Sequence, residues 1–114
     1  MAMAVGSEDI KSKQRPIPEA ALRDSNAVEM LRVWVAEGGL HCSMKVGMYR
    51  ETMNVAEEKA WGIILADVAR HIANALEAGY SSNAADSLQK IRRSMLEELG
   101  DPTAELRGDF RVKH

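Results

Sequence analysis

An α+β fold, with a β-hairpin packed on two antiparallel helices, follows from three features of this 114-residue sequence. Over residues 28–49 apolar side chains recur at every second position on either side of a glycine pair, the pattern of two strands and a turn. Over residues 54–79 the period lengthens to that of a helix, and after a short polar break a second helical stretch runs to Gly100. So short a break makes the two helices antiparallel neighbours.

The first 15 residues have no apolar periodicity and carry Lys11, Lys13 and Arg15, so they are expected to form a disordered leader. Residues 16–100 then make one α+β domain, and residues 101–114 a tail with the capacity for a short strand. Pro16 and Pro18 hold the chain extended, and Glu19 to Arg23 can form one helical turn with Pro18 at its first position.

In the alternating stretch Leu31, Val33 and Val35 point one way, and Arg32 and Trp34 the other. A second run places Leu40, Cys42, Met44, Val46 and Met48 on one face and His41, Ser43, Lys45 and Tyr49 on the opposite one. With Gly38-Gly39 as a two-residue loop, Val35 lies beside Cys42, Val33 beside Met44 and Leu31 beside Val46. The outer face then pairs Trp34 with Ser43, Ala36 with His41, and the like charges Arg32 and Lys45 with each other. A lone two-stranded ribbon is marginal in water. A further strand is expected, from the tail at residues 109–114 or, preferred because the tail is short and terminal, from the hairpin edge of a second copy.

On the long helix Trp61, Ile64, Leu65, Val68, Ile72 and Leu76 share an apolar stripe opposite Asp67, Arg70, Asn74 and Glu77. Asn54 with Glu57 three residues on has the spacing of a capping box, and Gly79 suits a left-handed C-terminal cap. Gly62, Ala66, Ala69 and Ala73 form a row of small side chains against which another helix, from this chain or a second copy, can approach closely. Asn83, with Asp86 three residues later, is placed to cap the second helix, whose inner face holds Ala84, Leu88, Ile91, Met95 and Leu99. Arg92 projects among these, either snorkelling to the rim or pairing with Asp67, Glu58 or a partner chain.

The blocks Leu31-Arg32-Val33-Trp34 and Trp61-Gly62-Ile63-Ile64-Leu65-Ala66-Asp67-Val68-Ala69-Arg70-His71 resemble those of a family of small uncharacterised bacterial proteins, a domain of unknown function. The resemblance covers roughly residues 24–79 and implies no activity, cofactor or catalytic residue.

Composition narrows the function classes. The net charge is −2, where a free-standing nucleic-acid binder ordinarily carries a basic excess. Cys42 is the single cysteine, so no internal disulfide forms; with no signal-peptide pattern and no apolar run long enough to span a bilayer, a cytoplasmic protein without a membrane association is expected. Seven methionines against few aromatics suit an adaptable contact surface, although filling gaps in a core accounts for them as well. The candidate ligand-binding residues are Arg32, Trp34, His41, Lys45 and Tyr49 on the outer ribbon face, and the i,i+4 pair Asp67 and His71. The first set mixes basic and aromatic groups as an anion or nucleic-acid surface does, against the plainer reading that Trp34 packs under a partner element or the N-terminal segment. The second set lacks a third ligand, so no metal site is assigned, and Cys42 on the apolar face reads as a structural thiol. The sequence-based expectation is therefore a homodimer that acts through protein partners, with nucleic-acid or anion binding as the alternative, no cofactor and no enzymatic activity.

Overall fold

The computed structural model describes residues 10–103 and 107–112. Residues 10–13 make a helical turn, closed by the Gln14 N–H on the Ile10 carbonyl at 3.1 Å, inside the stretch expected to be structureless. Residues 1–9 of that leader lie outside the described residues. Pro18 then sits one place before helix α1 (Glu19–Arg23), with its carbonyl taking the Ala21 N–H at 2.9 Å. The Asp24 side chain accepts the Asn26 N–H at 2.8 Å, a local turn that delivers the chain to the sheet.

Strands β1 (Leu31–Ala36) and β2 (Gly39–Val46) pair antiparallel around a loop of Glu37 and Gly38, one residue earlier than expected. Their φ values of 51° and 74° are both left-handed, as the hairpin turn that follows strand twist requires. Glycine adopts this geometry freely; Glu37 does so at a cost. The register slides by two: Leu31 faces Met44, Val33 faces Cys42, Val35 faces Leu40, Trp34 faces His41 and Arg32 faces Ser43. A slip of two leaves every side chain on its expected face and changes only its neighbour, so Arg32 and Lys45 do not oppose each other. Near the strand roots Leu31, Cys42, Met44 and Val46 are half-buried, whereas toward the turn Val35 is 81% exposed.

The third strand comes from within the chain. Strand β3 (Arg107–Val112) pairs parallel with β2, from His41 beside Arg107 to Val46 beside Val112, giving the order β1-β2-β3. β3 thus supplies from the tail the further strand that the ribbon needs and takes the outer edge of β2, through a connection long enough for a parallel crossover, while the outer edge of β1 pairs with no strand among the described residues.

β2 stops at Gly47 (φ 105°), a backbone conformation that a Cβ disfavours, and the chain turns into α2 (Met48–Thr52). Met48 and Tyr49 therefore leave the ribbon, a correction to the expected strand. Asn54 is left-handed (φ 54°) and does not cap; helix α3 (Glu57–Tyr80) starts after Ala56 without a side-chain cap. At the far end the left-handed cap is Ser81 (φ 59°), its N–H on the Glu77 carbonyl at 3.1 Å, and Gly79 lies within the helix. Helix α4 (Ala84–Gly100) is capped as expected, the Asn83 side chain accepting the Asp86 N–H at 3.0 Å.

Residues 81–83 are the only link between α3 and α4, so α4 folds back along α3. The contact is a seam of alanines: Ala69 is 7% exposed and Ala73 2%. Gly62 and Ala66, toward the other end of the same row, are exposed. Trp61 is half-buried, and among the described residues no large side chain is fully enclosed. No described helix is long and apolar enough to cross a membrane.

Candidate functional site

On the outer ribbon face the alternation of β1 and β2 brings Trp34 opposite His41, with Arg32 and Ser43 as the next pair and Lys45 beyond them. Arg32 is not a free cation. Its Nη2 donates to both carboxylate oxygens of Glu29 at 3.0 and 3.1 Å, an exposed ion pair worth little in stability that nonetheless compensates its charge. His41 is half-buried between β1 and β3, and its Nε2 is enclosed without a hydrogen-bond partner among the described residues. Lys45 is half-buried and its main-chain N–H donates to the Met30 carbonyl at 3.0 Å. Of the five expected ribbon residues four share this face, while Tyr49 sits in α2.

Asp67 and His71 are adjacent on α3 as their spacing requires, yet they do not form a carboxylate–imidazole pair. The His71 Nδ1 lies 2.8 Å from the Asp67 main-chain carbonyl, and the Asp67 carboxylate lies 3.7 Å from Arg70 Nη1. Both side chains are exposed. Cys42 is half-buried opposite Val33, on the other side of the sheet from His41 because consecutive strand residues alternate.

Glu57 has a role that sequence spacing misassigned. Instead of reaching back to Asn54, its Oε2 accepts the Gly47 N–H at 2.8 Å and the Trp61 Nε1–H at 3.1 Å, while Oε1 accepts the Arg50 N–H at 3.0 Å. One carboxylate thus ties the end of β2, α2 and α3 together. The Gly47 N–H lowers the Glu57 carboxyl below its ordinary value, and the Arg50 and Trp61 donors act the same way against the opposing effect of desolvation. The i,i+4 spacing of Glu57 and Trp61 was the available sequence signal for part of this cluster.

Two further surfaces stand out. On the helix pair α3 exposes Val68 (42%) and Ile72 (47%), four residues apart on one face, and α4 exposes Met95 and Leu99 (73%), likewise four apart. Secondly, residues 13–18 and α1 lie across β1 and leave a cleft of about 550 Å³ walled by Ile17, Leu22, Val28 and Trp34, with Lys13, Arg15, Glu29 and Arg32 around it. Both sequence readings of Trp34 meet here, since it lies beside the N-terminal segment and next to the basic groups.

A family model described as a domain of unknown function (DUF5076) matches residues 14–103. A solved structure of a protein from the photosynthetic bacterium Rhodopseudomonas palustrus CGA009, provisionally named a pyruvate dehydrogenase, is similar to the chain. The two are 26% identical with a TM-score of 0.60, over 88% of this chain and 95% of that one. No curated protein matches the chain.

Proposed function

The chain belongs to the DUF5076 family, which brings no activity with it, and from that premise we propose that it is a small homodimeric module that works through protein contacts. The observation that carries this reading is the uncovered apolar surface on the helix pair, Val68 and Ile72 of α3 with Met95 and Leu99 of α4. An exposed surface of this kind on a small domain calls for a partner.

A second copy is the favoured occupant. An apolar surface on each of two packed helices can meet its own copy across a two-fold axis, and joining two such pairs makes a four-helix bundle. β3 holds the outer edge of β2, which leaves the outer edge of β1 as the sheet's remaining route to a second copy. Equilibrium sedimentation over a dilution series tests the reading: the parent should have the mass of two chains at micromolar concentration, and Val68→Glu/Ile72→Glu the mass of one. A parent with single-chain mass throughout sinks the proposal.

Chemistry is no part of this reading. Cys42 and His41 lie on opposite sides of the sheet, and Asp67 and His71 engage Arg70 and main chain respectively. The dehydrogenase name of the Rhodopseudomonas protein is accordingly not transferred. A cytoplasmic setting fits a chain with one cysteine and no disulfide. A second reading, anion binding through the outer ribbon, draws its support from the cleft beside Trp34, where three basic residues meet one acid.

A further inference from the structure

We propose that the cleft between the N-terminal segment and β1 is a binding site for an amphipathic organic anion, an acidic carboxylate or phosphate head carried on an apolar chain; this inference rests on the anion-binding reading of the ribbon. The cleft volume of about 550 Å³ falls in the range of small-molecule sites. Its wall is greasy and under-covered: Ile17, Leu22 and Val28 are 60%, 70% and 44% exposed, although all three line the same concavity. An apolar chain laid along them gains the burial that the fold alone does not provide. The half-buried Trp34 indole contributes a flat apolar surface at the β1 side.

Charge selects the head group. Glu29 is the one acid among the lining residues, and Arg32 holds both of its oxygens. Lys13 and Arg15 have no acidic partner among the described residues, so two uncompensated cations border an apolar trough. A neutral lipid would leave them unused, and a bare anion would leave the trough empty. A ligand with both parts satisfies both. Most of the cleft also lies within the family match at residues 14–103, so its walls belong to the domain itself.

Calorimetric titration of the full chain with decanoate, decyl phosphate, decanol and inorganic phosphate, below any micelle-forming concentration, tests the proposal. At least one decyl anion should bind, decanol and inorganic phosphate at least tenfold more weakly, and the tighter of decanoate and decyl phosphate identifies the head. Lys13→Glu/Arg15→Glu should weaken that anion at least tenfold, with melting temperature and solution mass unchanged; Leu22→Glu should do so through the apolar wall. Decanol binding as well as the anions, inorganic phosphate binding as well as decyl phosphate, or parental affinity in the double variant each overturns the proposal. Heparin retention separates this inference from its premise. A protein that holds heparin but no amphiphile removes the cleft ligand and keeps the ribbon as an anion surface, whereas one that holds neither removes both.

Discussion

Replacing Ala73 by leucine tests the physical basis of the helix pair, because Ala73 is the most enclosed apolar residue of α3 at 2% exposure and Ala69 lies one turn away at 7%. The larger side chain has no space to enter, so α4 must move outward or the new side chain must leave its preferred rotamer. Overpacking of this kind costs about 1–3 kcal/mol. For a domain of this size each kcal/mol moves the melting temperature by about 4–8 °C, so a fall of roughly 4–24 °C is expected. The control is Gly62→Ala on the same row. A Cβ built at Gly62 meets nothing within 4 Å, and alanine in place of glycine inside a helix gains about 0.5–1 kcal/mol, so this variant should melt a few degrees higher. Thermal melts by circular dichroism at one fixed protein concentration decide, since melting of a dimer depends on concentration. An Ala73→Leu variant that melts with the parent refutes the alanine seam. A Gly62→Ala variant that melts lower shows instead that Gly62 sits under a second copy, moving the self-contact onto the row of small residues.

Three further outcomes follow from single contacts. Glu57→Gln should remove an acid-sensitive step from the stability profile. Because the folded carboxyl titrates below its unfolded value, its contribution is present at neutral pH and is lost as pH falls through the folded value; a Gln variant with the parent's profile of melting temperature against pH would place that step elsewhere. Asn83→Ala should cost about 0.5–2 kcal/mol through loss of the acceptor for the Asp86 N–H, read by urea unfolding, and parental stability would mean that the cap is redundant. Glu37→Asn should stabilise the hairpin by about 1 kcal/mol or less, since asparagine tolerates the left-handed backbone at that turn better than glutamate; a lower melting temperature would argue against the observed turn.

Much of the fold was legible because it depends on local physics. The period-two run set the faces of Leu31 to Val35, and the Asn83–Asp86 spacing marked the start of α4 correctly. Where the reading moved, two local options competed. Either Glu37-Gly38 or Gly38-Gly39 can supply the two left-handed residues that strand twist requires; the structure uses Glu37-Gly38, which changes the neighbours of Arg32 without changing its face. Asn54 and Glu57 have capping-box spacing, but with Asn54 left-handed and the Gly47, Arg50 and Trp61 donors all within reach, the carboxylate goes to those instead. Of the candidate site, the shared face of Trp34 and His41 was readable from alternation, whereas the cleft beside Trp34 was not, since it depends on where an extended proline segment lies.

The sequence by itself determined the faces: which side chains along the two hairpin strands and the two long helices are greasy, where those two helices end within a residue or two, and that they are antiparallel. These are short-range consequences of backbone period and turn chemistry. Only the tertiary structure decided what each face meets. It gave the β2 edge to β3, set the alanine seam rather than Trp61 at the tightest contact, joined Glu57 to three elements, and left Val68, Ile72, Met95 and Leu99 uncovered. Such choices fall between segments far apart in the chain, where several partners offer comparable burial and the best simultaneous packing of all of them selects one.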